Sequence, residues 1–177
     1  MKVLLISGKA QNGKDTLGAI LKNELENTGK RVLVTHYADL LKYICSSFFG
    51  WSGEKDEVGR KILQYVGTDV IRKKMPDFWV DFILSILELF PSDWDYVIIP
   101  DTRFPNEISK MSDSGFDVTH IRIKRPNFKS PLTKQQQEHP SETALDNVEP
   151  DITVLNDGSI DDLEAKVKLW LITHPNK

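Results

Sequence analysis

Apolar positions along the chain recur in two periods. Short β-rich runs at 3–6, 31–37, 96–99, 118–123 and 152–155 alternate with longer stretches at helical spacing. The first, third and fifth runs are nearly continuous in apolar residues, as expected of strands buried on both faces. Leu17, Ile20, Leu21 and Leu25 mark one helical stripe, stopped by Gly29. Phe78, Phe82, Ile83, Ile86, Leu87 and Phe90 form a second, wide stripe that Pro76 and Asp77 open and Pro91 closes. Ile160, Leu163, Val167, Trp170 and Leu171 form a third, with Ser159 and Asp162 at capping-box spacing. This β–α alternation predicts an α/β domain: a five-stranded parallel sheet with helices on both faces.

With 177 residues, the chain fits one such domain. Two regions exceed what a minimal sandwich needs. Residues 41–94 carry more helix than one crossover requires. Residues 124–150 are polar, contain Pro126, Pro131, Pro140 and Pro150, and read as a long irregular loop, which in a compact domain is a functional or disordered element.

Composition narrows the function classes. A formal charge of −3 argues against a broad basic surface for nucleic acid. The single cysteine excludes an internal disulfide and a multi-cysteine zinc site; Cys45, in an apolar stretch, reads as a buried thiol. No run is apolar for long enough to span a membrane, and the opening run of Val3 to Ile6 is too short for a signal sequence. These features predict a cytoplasmic protein and leave the oligomeric state, a homodimer included, open.

The sharpest motif is Ser7-Gly8-Lys9-Ala10-Gln11-Asn12-Gly13-Lys14-Asp15-Thr16, placed after a strand and before a helix. That is the context of a phosphate-binding loop, in which glycines let successive N–H groups turn onto an anion and the helix N-terminus adds its dipole. Lys14, read as an exposed loop lysine, supplies a cation for the β- and γ-phosphates. The usual hydroxyl residue after the lysine is replaced by Asp15, with Thr16 one place later. Asp15 beside phosphate is unfavourable unless Mg²⁺ or a nearby base offsets it.

Other groups collect at predicted strand ends. Asp39 and Lys42 follow the second strand, and Asp101 and Arg103 follow the third, where an α/β sheet binds ligands. An apolar strand leading to an acid, as at Asp101, has the Walker-B form of a Mg²⁺ site. Arg72 follows a turn-like Gly67-Thr68-Asp69 and is suited to an anionic substrate. Tyr37, Gln64, Tyr65 and Trp79 offer the aromatic and amide groups of a nucleobase pocket. His139 reads as structural or substrate-contacting, and Asn156 as an edge of an adenine pocket or part of a helix cap.

Taken in order, Gly-Lys-Asp-Thr at 13–16, Ala-Asp-Leu-Leu-Lys at 38–42, Leu-Gln-Tyr-Val-Gly-Thr-Asp at 63–69, Asp-Thr-Arg-Phe-Pro-Asn-Glu at 101–107, His-Pro-Ser-Glu at 139–142 and Asn-Asp-Gly at 156–158 resemble the deoxynucleoside monophosphate kinases of phages and bacteria. The resemblance implies a P-loop kinase that uses ATP and Mg²⁺ to phosphorylate a dNMP. It implies a helical substrate-binding segment at about 41–94 and a lid at about 124–150. It assigns Gly8, Asn12, Gly13, Lys14, Asp15, Thr16 and Asn156 to ATP, and Asp15 and Asp101 to the metal. Asp39, Lys42, Gln64, Arg72, Trp79, Asp101, Arg103 and Glu142 fall to the substrate. Lys14, Arg72, Arg103 and the lid residue Arg125 would carry catalysis. Two other readings stay open: a different small-molecule kinase, such as a phosphomevalonate kinase, and a nucleotide-sensing module without turnover.

Overall fold

A computed structural model describes residues 1–54 and 56–174. Its five strands are β1 (Lys2–Ser7), β2 (Val32–Val34), β3 (Tyr96–Thr102), β4 (Asp117–Lys124) and β5 (Ile152–Leu155), all parallel, in the order β2-β3-β1-β4-β5. β1 is central and wholly buried. Val3 and Leu5 pack with Val97 and Ile99 against α4 (Phe78–Leu89) and Met111 of α5 (Pro105–Asp113). Leu4 and Ile6 pack on the opposite face, against α1 (Lys14–Asn27) and α8 (Ile160–Thr173). This is the expected parallel sheet between helices.

The differences from the expected elements have local causes. The expected strand 31–37 shortens to three residues because the amides of Tyr37 and Ala38 turn away to the Asp101 carboxylate (3.0 and 2.9 Å), and α2 (Ala38–Phe48) starts there. β3 runs on to Thr102, past Pro100, because its register against β1 shifts after Leu5. Such an irregularity accommodates a residue without an N–H. β5 is not buried on both faces. It pairs only with β4, and its residues alternate between half-buried and exposed, as on an edge strand. The predicted stripes are also wider than the buried faces: Phe82, Phe90 and Ile160 are exposed. The Ser159–Asp162 capping box is present.

A helical layer is formed by α2, α3 (Glu57–Gln64), a π-helix over Tyr65–Arg72 that continues α3, and α4. Cys45, Trp51 and Val66 make a small core beneath it, with the Cys45 thiol fully buried. The turn-like reading of 67–69 therefore fails, since these residues lie inside the π-helix, a rare form often found at functional sites. Gly67 lets Leu41 pack closely there, since a Cβ would stand 2.6 Å from Leu41 Cδ2 and push that side chain aside. The irregular-loop reading of 124–150 also gives way to two short helices, α6 (Lys134–Gln137) and α7 (Pro140–Thr143), with Leu132, Gln136 and Leu145 buried.

The π-helix is fastened to the core by the buried Trp79, whose Nε1 donates to Gly67 O at 3.1 Å. Trp79→Phe keeps an aromatic ring but leaves that carbonyl without its donor. A loss of about 1–3 kcal/mol is expected, lowering the melting temperature by roughly 2–4 °C per kcal/mol. An unchanged melting temperature would show that the bond does not fasten the element.

Candidate functional site

The carboxyl ends of all five strands deliver polar groups to one edge of the sheet. At the end of β1 the phosphate loop is held in a shape that requires its glycines. Gly8 has φ 151°, and a Cβ there would lie 2.5 Å from Ile123 O. Gly13, at φ 98°, sits at the start of α1, where a Cβ would come within 2.7 Å of Asn156 Nδ2. Asn156, at the end of β5, donates from that nitrogen to Asn12 O at 3.0 Å and so clamps the loop from outside. Beneath it, Ser7 Oγ and His120 Nε2 are hydrogen-bonded at 2.7 Å, and burial depresses the His120 pKa to about 4, leaving the imidazole neutral at neutral pH.

Lys14 is buried, not exposed as expected, and its Nζ donates to the loop carbonyls of Gly8 (2.8 Å) and Lys9 (3.0 Å). Burial, followed by repulsion from Arg103, lowers its pKa to about 8; Glu142, Asp15 and Asp101 pull the other way. Lys14, Asp15 and Gln11 form the floor common to two cavities. The larger, of about 600 Å³, extends over β3 and the helical layer. The smaller, of about 370 Å³, lies between the start of α1 and α8, and is lined also by Thr16, Arg125, Asn156 and Gly158. Arg125 stacks on the Phe128 ring, 4.6 Å from its centroid.

In the larger cavity the structure brings together Lys42, Gln64, Arg72, Trp79, Asp101, Arg103 and Glu142 from the expected set. Their engagements differ. Asp101 already accepts the two amides that start α2. Arg72 donates Nη2 to Glu107 Oε1 at 2.5 Å and Nη1 to Asn106 and Pro76 O, and its guanidinium lies 3.9 Å from the Phe104 ring centroid. Glu107, fully buried, also accepts the backbone N–H groups of Arg103 (2.7 Å) and Phe104 (3.0 Å). Burial pushes its carboxyl up to about 7, against the pull of Arg72 and those amides. Arg103 uses Nη1 alone, donating to Glu142 and to Ser141 O.

Some expected contacts do not assemble. Asp39 turns to His36 and Lys42 and lies outside the cavity lining. Tyr65 is exposed and also lies outside it. Trp79 contributes an edge of the wall but is a core residue. His139 caps α7, its Nδ1 accepting from Ser141 N.

His36 was not singled out by the sequence reading, yet it lines the cavity with Nε2 3.3 Å from Asp15 Oδ1 and Nδ1 3.2 Å from Asp39 Oδ2. The hydrogen bond to Asp15 raises its pKa, against a smaller effect of burial. It is thus the nearby base that Asp15 called for. The strand assigned through residue 37 hid it. Glu107, read from the sequence only as the end of the 101–107 motif and as a partner that could pair with Arg103 to hold the loop, instead takes the Arg72 guanidinium and the backbone amides of Arg103 and Phe104.

The arrangement is two cavities that meet at one buried ammonium. Comparison with known proteins bears on the family and the fold. The family described as deoxynucleotide monophosphate kinase matches residues 49–167. The deoxynucleotide monophosphate kinase of Enterobacteria phage T4 is 36% identical over 111 residues, covering 62% of this chain and 43% of the phage protein, so the match spans less than half that relative's length. A putative deoxynucleotide monophosphate kinase of Acanthamoeba polyphaga mimivirus is 29% identical, with 92% of each chain covered. Shikimate kinase from Aquifex aeolicus shares the fold, with a TM-score of 0.55 at 16% identity over 99% of this chain and 98% of its own. With α3, the π-helix, α4, its Asp101–Glu107 segment and its His139–Glu142 segment all inside a match that covers more than half of its length, the chain belongs to the deoxynucleotide monophosphate kinase family.

Proposed function

We propose that the chain transfers the γ-phosphoryl group of ATP to a deoxynucleoside monophosphate. The observation that carries this reading is the pair of cavities sharing Lys14, Asp15 and Gln11 as their floor. ATP occupies the smaller cavity, with its phosphates on the loop amides and Lys14. The monophosphate occupies the larger, with its phosphate toward Arg103 and its base among Gln64, Leu63 and Thr68. The acceptor phosphate is already anionic and needs no strong base. Catalysis is then positioning and charge stabilisation of an in-line transfer.

The carboxylates suit Mg²⁺, which takes one or two protein carboxylates, substrate phosphates and several waters. Asp15 and Asp101 line the same cavity as Lys14 and would hold the ion directly or through water, with the Thr16 hydroxyl nearby in sequence. Bound there, it neutralises charge on the β- and γ-phosphates. Residues 124–150 act as the lid in this reading, since Leu132, Ser141 and Glu142 roof the larger cavity and Arg125 borders the smaller. No described helix is long and apolar enough to cross a membrane. A cytoplasmic location goes with the reading, and both cavities are lined by one chain, so a homodimer is not required for the chemistry.

The direct test is release of ADP from ATP and Mg²⁺ with each of the eight common nucleoside and deoxynucleoside monophosphates. Turnover with at least one deoxynucleotide is expected. Folded protein that binds ATP but turns over none would instead be a sensing module.

Lys14 gives a pH signature. Its ammonium must be charged to hold phosphate, so kcat/KM for ATP should fall as pH rises through about 8, the value set by burial and by Arg103. Lys14→Arg, which stays charged, should lower the rate and abolish that limb. A limb that persists in the variant belongs to another group.

Arg103 tests the acceptor side. Lysine cannot reproduce a planar fork, so Arg103→Lys should reduce kcat/KM for the monophosphate by about ten- to a hundredfold, mainly through KM, with KM for ATP little changed. A lowered melting temperature with both substrates impaired alike would reduce Arg103 to a structural tie.

A further inference from the structure

Glu142 was expected to touch substrate, but its carboxylate is committed elsewhere. The side chain is 7% exposed. Oε2 accepts the backbone N–H of Ala10, within the phosphate loop, at 2.9 Å, and Oε1 accepts from Arg103 Nη1. Ser141 O takes that same nitrogen at 2.6 Å. The backbone is held as well: Lys9 Nζ donates to Glu142 O at 2.6 Å and to Asp146 Oδ1 at 2.5 Å. One carboxylate therefore joins the donor-side loop to the acceptor-side guanidinium, and the loop lysine fastens the segment that carries it.

We propose that Glu142 is a positioning residue that sets Arg103 against the phosphate loop. The role rests on the kinase reading above. Arg103 is held by Nη1 alone; its Nε and Nη2 make no hydrogen bond among the described residues, and its side chain is 30% exposed in the cavity. An arginine anchored through one terminal nitrogen keeps the rest of its fork for a phosphate, and loses less conformational freedom when that phosphate arrives. Arg72 differs, because both of its terminal nitrogens are consumed by Glu107, Asn106 and Pro76. Through Glu142, with Ser141 O beside it, Arg103 is anchored to the Ala10 amide rather than to its own strand, which ties the acceptor-side guanidinium to the donor-side loop. Orientation at this level is where supporting residues act on rate.

The test is a double-mutant cycle in the full chain with ATP and each of dAMP, dCMP, dGMP and dTMP. Glu142→Gln should lower kcat/KM for the accepted monophosphate by about tenfold or more, through both kcat and its KM, with KM for ATP changed less than about threefold. Glu142→Asp keeps the charge but is one methylene too short to reach both partners, and should be impaired to a similar degree. In an Arg103→Gln background, adding Glu142→Gln should cost less than about threefold, because its effect passes through the arginine.

Thermal stabilisation by the same monophosphates gives the same cycle without turnover. Equal losses in the two backgrounds, or a parallel rise in both KM values with a lowered melting temperature, would overturn the role. So would a lower KM for the monophosphate in Glu142→Gln, which would mark the carboxylate as a competitor of the incoming phosphate. Turnover by wild type with additive variants removes only the role. A wild type neither active with nor stabilised by any of the four removes the kinase reading, and the role with it.

Discussion

An ammonium and a guanidinium line one cavity, and their mutual repulsion has to be offset before any anion binds there. The Lys14 pKa registers the strain, falling to about 8 through burial and the proximity of Arg103. The surrounding site supplies the compensation. Glu142, Asp15 and Asp101 each favour the charged lysine, and each comes from a different part of the chain: the 124–150 segment, the start of α1 and the end of β3. Two loop carbonyls complete the coordination of the ammonium. A cavity so arranged is pre-organised for polyanions, because its cations are already in place and its dipoles already oriented.

The same logic explains how the elements are joined. Asp101 does not simply face the cavity: it takes the first amides of α2 and so pins the helical layer to the end of β3. Glu107 does this for the π-helix, gripping Arg72 while bonding the backbone of Arg103 and Phe104. Arg122, projecting from β4, donates to Leu145 O (2.7 Å) and Val148 O (2.6 Å) and holds the far end of the roofing segment. Buried or half-buried charges thus serve as the fasteners between layers. Removing one partner of such a pair strands the other in a poorly solvated place, which makes these contacts sensitive to substitution.

Much of this was legible in the residues. The phosphate loop announced itself through spacing and context, and the strand ends named Asp101 and Arg103 before any coordinates. What was hidden depended on contacts between distant segments. Apolar content alone could not show that 152–155 forms an edge, since burial depends on what lies beside a strand. The π-helix has no distinctive periodicity over eight residues, and its glycine read as a turn because the packing of Leu41 against Gly67 is tertiary. Polar composition made 124–150 look loose, although Gln136 is buried and Arg122 secures the backbone. His36 was masked because an edge strand three residues long was extrapolated to seven. Lys14 looked exposed because a loop position says nothing about what roofs it.

The floor between the two cavities consists of Gln11, Lys14 and Asp15, all on the phosphate loop and the first turn of one helix. In the proposed reading, the phosphoryl group passes over this floor, apart from the residues assigned to the acceptor base. Arg60, Leu63, Gln64 and Thr68 lie on the helical layer at the far wall of the larger cavity. In that reading, changes there bear on which acceptor fits and leave the floor itself unaltered. In the proposed reading, selectivity and transfer rest on different elements of this chain, so the one can drift over evolutionary time while the other stays fixed.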